Sequence, residues 1–345
     1  MVKENFKNVT QIIVFYFIVG NCFALTGNGA NETSIETVTS TARSRAMGSV
    51  GYALSDDETC LIYNPAGLGF MNFRWNGGAI SYTNTENDFY SPKNLYTITY
   101  QNENLNRLGF SGCLARTESS MTSMSVDSQG NMQVGKVDRF IASVYGVGAG
   151  YRFYSNKLID NSIGISFNYS QFLQDASLGP TETRVLGNIG YILQIHEKFR
   201  IGLSFKNIDI SNSNCPNLST AFCSGFGYKD SFNGKELRIL DISAELSYVD
   251  WISATLGPNS IQTGVEATLF NILSARFGYL DFPDNSRYSL SFGTGINLFN
   301  HLNVDLYWVY NRDIYNYKQR IPFGFSLSFN RILKWNKSDL KWWLK

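Results

Sequence analysis

SIGISFNYS, residues 162–170, decides the fold. Ile163, Ile165, Phe167 and Tyr169 alternate with Ser162, Gly164, Ser166, Asn168 and Ser170. Successive strand residues point to opposite faces, so this segment has one large apolar face and one small polar face. A soluble sandwich reads differently, because its apolar faces meet each other and its outer faces carry Lys, Glu and Thr. Here the second face is Gly, Ser and Asn, which suits the wall of a barrel with lipid outside and a crowded lumen inside.

The same pattern recurs on both sides. Phe199, Ile201, Leu203 and Phe205 alternate with Arg200, Gly202, Ser204 and Lys206, which places Arg200 and Lys206 in the lumen. Phe323, Phe325, Leu327 and Phe329 alternate with Gly324, Ser326, Ser328 and Asn330. A tilted membrane strand needs about 9–11 residues, against about 5–6 for a typical soluble strand. The alternation predicts strands at 73–85, 93–103, 107–117, 138–154, 162–173, 184–195, 199–207, 238–250, 261–270, 273–281, 288–299, 303–311 and 321–331. Single-chain bacterial barrels have even strand counts, so a further strand is expected within 221–228. The fold expected is therefore all-β, a transmembrane antiparallel barrel of about 14 strands. The competing class is a large soluble periplasmic β-sandwich or β-helix.

Composition agrees. The 345 residues include 25 Phe, 20 Tyr and 30 Gly but only 7 Pro. The net charge of +1 gives no field for nucleic acid. The mean hydropathy of −0.16 is what alternating faces average to. Aromatic clusters at Phe89–Tyr90, Tyr151–Phe153–Tyr154, Tyr248 with Trp251, and Tyr307–Trp308–Tyr310 suit interfacial girdles. Lys3 and Lys7 precede an apolar run at 12–19, followed by Cys22-Phe23-Ala24. That reads as a signal peptide, residues 1–24, cleaved after Ala24. Cys22 offers lipidation as an alternative, although Asn21 before it fits poorly. Residues 25–72 then form an N-terminal segment, 73–331 the barrel, and 332–345 a Trp- and Lys-rich tail.

The segment before the barrel does not alternate. It holds Arg43, Arg45, Met47 and Gly48, then Asp56 and Asp57, then Asn64, Pro65, Ala66 and Gly67. Pro65 keeps Asn64 extended and Gly67 permits a turn; Asp56 and Asp57 read as turn or capping residues. Further on, Glu266 and Arg276 take the lumen phase. A three-residue loop at 271–273 makes them diagonal neighbours about 7–8 Å apart, a lumen ion pair that is structural, or a polar patch that grips the segment before the barrel or lines a path. Cys215 and Cys223 flank a polar stretch, which leaves either a local disulfide or two loop thiols. No zinc-ligand spacing, phosphate loop or nucleophile–base arrangement is present, so the sequence implies no cofactor, no metal and no enzyme. Gly146-x-Gly148-x-Gly150 lies in an alternating strand and reads as small-residue lumen packing.

The R-x-M-G, A-L-S-D-D and Y-N-P-A-G-L elements at 45–48, 53–57 and 63–68, in that order, resemble the N-terminal signature of the PorV/PorQ group within the FadL-like outer-membrane barrels. RIGLSFKNI (200–208), TGVEATLFNILSARFGY (263–279), SLSFGTGINL (289–298) and Asp305–Trp308 extend that resemblance over nearly the whole mature chain. It implies a bacterial outer-membrane location and a signature segment folded into the lumen as a hatch. It also implies a part in type IX protein secretion, holding exported cargo. The wider family implies the alternative, passage of hydrophobic small molecules. Expected partners are thus outer-membrane lipid together with cargo proteins or such molecules.

Overall fold

A computed structural model describes residues 41–55, 57, 59–71, 77–86, 94–101, 107–126, 132–156, 158–174, 182–211, 220–233, 238–252, 259–283, 287–298, 302–312 and 323–329. Fourteen antiparallel strands form a closed barrel in which each strand pairs with its neighbours in sequence and the first meets the last. They are β1 (Gly77–Glu86), β2 (Asn94–Gln101), β3 (Leu108–Val126), β4 (Met132–Ser155), β5 (Ile159–Gln174), β6 (Glu182–Ile195) and β7 (Phe199–Asp209). The second half is β8 (Ala221–Asn233), β9 (Arg238–Trp251), β10 (Ser260–Leu269), β11 (Leu273–Phe282), β12 (Arg287–Leu298), β13 (Leu302–Arg312) and β14 (Phe323–Phe329). Closure runs from Ile80 opposite Phe329 to Glu86 opposite Phe323, which leaves no open sheet edge for lipid to meet.

Burial on β5 shows which side is which. Ile163, Ile165, Phe167 and Tyr169 are 42–50% exposed, whereas Ser162, Ser166, Asn168 and Ser170 are at most 1% exposed. Apolar residues outside and polar residues inside invert the order of a soluble domain. An apolar belt of this kind is stable against hydrocarbon, and it rules out the sandwich and β-helix alternatives.

The expected strand within 221–228 is β8. The hairpin of β3 and β4 is longer than the alternation suggests, pairing as far as Val126 opposite Met132. Its Ser- and Met-rich residues 119–125 lack an apolar phase, yet backbone pairing does not need one. Tyr151, Phe153, Tyr248 and Trp308 lie exposed on the outer face as expected for girdles, but Tyr307 is completely buried. It has the phase of Asp305 and Val309 and faces the lumen, so the expected cluster there is split between the two sides. Cys223 is likewise a buried residue of β8 and not a loop thiol. Cys215, its expected disulfide partner, lies outside the described residues, as do Asp56, Phe89, Tyr90, the expected signal peptide and the tail.

Candidate functional site

Inside the barrel lies the non-alternating segment, as α1 (Ala42–Ala46), α2 (Cys60–Tyr63) and a 3-10 turn (Pro65–Gly69). Thr41 caps α1 through a reciprocal pair with Ser44, which satisfies two of the amide groups a helix start leaves open. The helices are only five and four residues long. Pieces so short do not hold themselves, so the hatch must be kept in place by the wall.

The wall supplies hydrogen bonds from the small polar face. Ser162 Oγ donates to Ala66 O at 2.8 Å, Ser166 Oγ to Leu61 O at 2.9 Å, and Ser291 Oγ to Ala46 O at 3.1 Å. Asn64 does the converse. Its Nδ2 donates to Tyr52 O at 2.7 Å, Leu203 O at 3.2 Å and Tyr191 O at 3.3 Å, while Oδ1 accepts from Ala66 N at 3.1 Å. One buried amide thus caps the 3-10 turn and ties it to β6 and β7. Asp57 forms a turn ahead of α2, accepting from Thr59 N at 2.9 Å and from Thr59 Oγ1.

Glycines on the wall make room. A Cβ on Gly190 would overlap Asn64 Oδ1, and one on Gly202 would overlap Tyr52 O. Gly150 and Gly148 would meet Pro65 O and Leu61 Cδ1 at 2.6 Å, which supports the packing role expected for that run. From the other side, Gly48 has φ +70 and lies where a Cβ would sit 2.8 Å from Thr263 O, Tyr279 N and Tyr279 O. Only glycine fits there, on both conformational and steric grounds. Apolar contacts fill the remainder: Cys60, Leu61, Ile62, Leu68 and Met71 pack on Cys113 of β3, and Ala42 and Ala46 pack on Tyr307 and Val309.

Charge crosses the same boundary. Arg43 of α1 binds Asp57 at 2.6 Å and grips both oxygens of Glu266 at 2.9 and 3.0 Å. Arg276 bonds Glu266 and reaches Asp305 at 2.6 Å. Glu266 and Arg276 therefore pair as expected, with one correction to their register: they stand directly opposite each other. The connecting loop is 270–272, closed between Leu269 and Leu273, with Phe270 and Asn271 at φ 52 and 57. The hatch arginine in this network is Arg43, whereas Arg45, the residue of the R-x-M-G element, makes neither ion pair. Met47 is buried beside Gly264.

Lys206 is 1% exposed, with its Nζ 5.3 and 5.1 Å from the ring centres of Tyr52 and Tyr63. Arg200 bonds Gln194 at 2.7 Å and lies 5.1 Å from the ring centre of Phe70. These two cations thus meet aromatic rings of the hatch.

The alternation did not single out Glu245, which takes the lumen phase of β9 between Ser243 and Ser247. Its carboxylate accepts from four consecutive hatch amides, Gly51 N at 3.1 Å, Tyr52 N at 2.7 Å, Ala53 N at 3.0 Å and Leu54 N at 2.8 Å. Ser247 Oγ adds a fifth bond at 2.6 Å. A run of convergent amides is an anion receptor, and here the wall provides the anion. A cavity of about 20 Å³ beside it, lined by Arg43, Asp57 and Thr59 among others, has room for one water.

The wall next to Asn64 is irregular. Pairing of β6 with β7 shifts between Gly187 and Ile189, where Asn188 faces two residues and Asn207 takes φ 56. Asn207 N donates to Asn188 Oδ1 at 2.9 Å in place of a ladder bond. This is a β-bulge.

The barrel has counterparts in fold among solved structures. It is similar to the CymD monoaromatic hydrocarbon channel, at 12% identity over 86% of this chain and 98% of that one, with a TM-score of 0.56. The Ralstonia pickettii toluene transporter TbuX matches at 13% identity over 86% and 99%, TM-score 0.55. The Pseudomonas putida toluene transporter TodX matches at 11% over 90% and 99%, TM-score 0.51. The fold is that of these channels and transporters. No family model and no curated protein matches the sequence. At such identities the FadL-type likeness is one of fold, and the narrower PorV/PorQ resemblance rests on the sequence motifs alone.

Proposed function

We propose that this protein is a bacterial outer-membrane channel for hydrophobic small molecules, non-enzymatic and closed at rest by its hatch. The observation that carries this reading is the lumen itself. Residues 41–55 and 59–71 occupy it almost without exposure, bonded to the wall by Asn64, Glu245 and the lumen serines. An open aqueous pore does not fit that packing. A molecule that partitions into lipid can use the bulge between β6 and β7, where the ladder is already interrupted. The similar structures whose titles name hydrocarbon channels support the same reading.

A second reading, a secretion component that holds exported cargo, draws on the PorV/PorQ-like motifs. Met47, Gly48, Asp57 and the Asn64–Gly67 turn each have a packing or capping role in the hatch. These motifs therefore report the plug, which both readings share. The channel is preferred because the similar solved structures include hydrocarbon channels and because the bulge interrupts the wall beside the hatch.

The test is uptake of a fluorescent hydrophobic probe by vesicles with a lipopolysaccharide outer leaflet, with and without the protein. Faster uptake with ion conductance at the empty-vesicle level is expected. Equal uptake in both preparations, together with retention of cargo proteins on the vesicle surface, would favour the secretion reading.

A further inference from the structure

The hatch is not held evenly. α1 packs on β11–β14, Arg43 pairs with Glu266 of β10, and Glu245 of β9 collects the amides of 51–54. Tyr63 of α2 stacks on Tyr52 at 5.4 Å and packs with Ala221 and Cys223 of β8 and Val249 of β9, which joins α2 to that part. The 3-10 turn Pro65–Gly69 packs instead on β3–β6. Its seat there is a row of glycines in register across four strands: Gly109 is opposite Gly150, Gly150 opposite Gly164, and Gly164 opposite Gly190. A Cβ on any of them would collide with the turn or with Asn64 at its start: Gly109 with Leu68 O, Gly150 and Gly164 with Pro65, and Gly190 with Asn64 Oδ1.

The two holds differ in what they leave behind when broken. Withdrawal of 42–54 strips four amides from the buried Glu245 and takes Arg43 from Glu266. Buried carboxylates deprived of their donors are strongly disfavoured. Withdrawal of the turn breaks neutral bonds, about half as strong as those to a charged group. The wall then keeps its polar atoms satisfied, since Ser162 Oγ loses Ala66 O but also donates to Tyr151 O at 3.1 Å. Phe70, at the far end of the turn, meets Arg152 and Arg200 through its ring, with 6.0 and 5.1 Å to its centre, and 65–70 enter no ion pair among the described residues. We infer that the hatch is built in two parts, an anchor of 42–54 with α2 and a gate of 65–70, and that a hydrophobic ligand passes by lifting the gate from its glycine seat while the anchor stays in place. Asn64 is the pivot. Its Nδ2 holds Tyr52 O of the anchor and Tyr191 O and Leu203 O of the wall, while its Oδ1 holds Ala66 N of the gate. With the gate lifted, the glycine row leaves a strip without side chains along the inner wall, about 14 Å across three strand spacings. The inference rests on the channel reading and assigns the part of the hatch that moves.

The experiment follows uptake of the fluorescent probe N-phenylnaphthylamine by vesicles holding the full-length barrel, for the native protein, Ser162→Ala and Ser291→Ala, and measures amide exchange with and without the probe. Ser162→Ala removes the donor to Ala66 O of the gate, and Ser291→Ala removes the donor to Ala46 O of the anchor. Loss of one neutral bond from the gate should raise uptake by Ser162→Ala roughly two- to tenfold, whereas Ser291→Ala should take up the probe at the native rate. The probe should speed exchange at Gly67 and Phe70, whose amides close the turn, and leave Tyr52 and Leu54 unchanged. Equal uptake by the two variants, or faster exchange at Tyr52 and Leu54, would overturn the two-part hatch and leave the channel intact. Unchanged exchange at Gly67 and Phe70 while the native protein takes up the probe would do the same. Native uptake no faster than in empty vesicles would overturn the channel reading and the gate with it.

Discussion

Glu245 Oε1 stands 2.7 Å from Tyr52 N, at the centre of a carboxylate that collects four successive hatch amides. The wall holds the hatch by its backbone at this point, so the identity of the hatch side chains there matters less than the charge on β9. Replacing Glu245 by Gln turns one acceptor oxygen into an NH2 that faces an amide N–H. The hatch should loosen by about 1.5–3 kcal/mol, the range for hydrogen bonds to a charged group. Amide exchange at 51–54 would report it as faster exchange with β5 and β6 unchanged; unaltered protection would show that the carboxylate is dispensable.

Asn64 tests the same hold through a neutral group. Asn64→Ala removes a donor to three carbonyls and the cap on Ala66 N. Asn64→Asp keeps the cap and turns a carboxylate towards those carbonyls, which is worse. Thermal unfolding in detergent should rank native above Ala and Ala above Asp, with the first step about 2–4 kcal/mol. An Asp variant as stable as the native protein would contradict the assigned amide orientation.

Steric closure can be separated from hydrogen bonding. Gly202→Ala puts a methyl group onto Tyr52 O, whereas a Cβ on Gly112 would meet only Gly146 O, at 3.6 Å, an ordinary contact. Gly202→Ala should therefore displace the hatch and raise single-channel conductance in planar bilayers, and Gly112→Ala should leave conductance at the native level. Identical traces from the two would mean that the lumen is not packed as described.

The charge network predicts coupling. Arg276→Met leaves Glu266 with Arg43 alone and removes the Arg276 contact from Asp305. Breaking a buried pair from one side costs roughly 3–5 kcal/mol. Adding Glu266→Gln should recover part of that loss, so a double-mutant cycle on thermal stability would read a coupling of about 1–3 kcal/mol. Additive effects would place the two groups in separate networks.

The outward face predicts a lipid-dependent cost. Val265 and Phe277 are opposite each other and 40% and 43% exposed. Val265→Lys should destabilise by about 2–4 kcal/mol in bilayers if it lies near the midplane, and by much less in a short-chain detergent. No difference between the two media would argue against a lipid contact at this position.

Alternation along single strands determined the wall. Thirteen strands, their phase and most of their bounds are legible because side chains on a strand alternate by geometry, and lipid on one side leaves no other arrangement for Ile163 to Tyr169; the fourteenth, β8, follows only from the even strand count. Arg200, Lys206, Glu266 and Arg276 were placed in the lumen by the same reasoning. The sequence also marks 25–72 as something other than wall, since it lacks the period.

What only the tertiary structure decided is which lumen residue meets which part of the hatch. Arg43 and not Arg45 enters the ion network, Glu245 receives the amides, and Gly190 and Gly202 yield to Asn64 and Tyr52. These partners are separated by more than a hundred residues, and no local period encodes contact across a lumen. Register depends on turn geometry, as the left-handed Phe270 and Asn271 show by bringing Glu266 directly opposite Arg276. A strand knows which way its residues point; only the closed barrel determines what they find there.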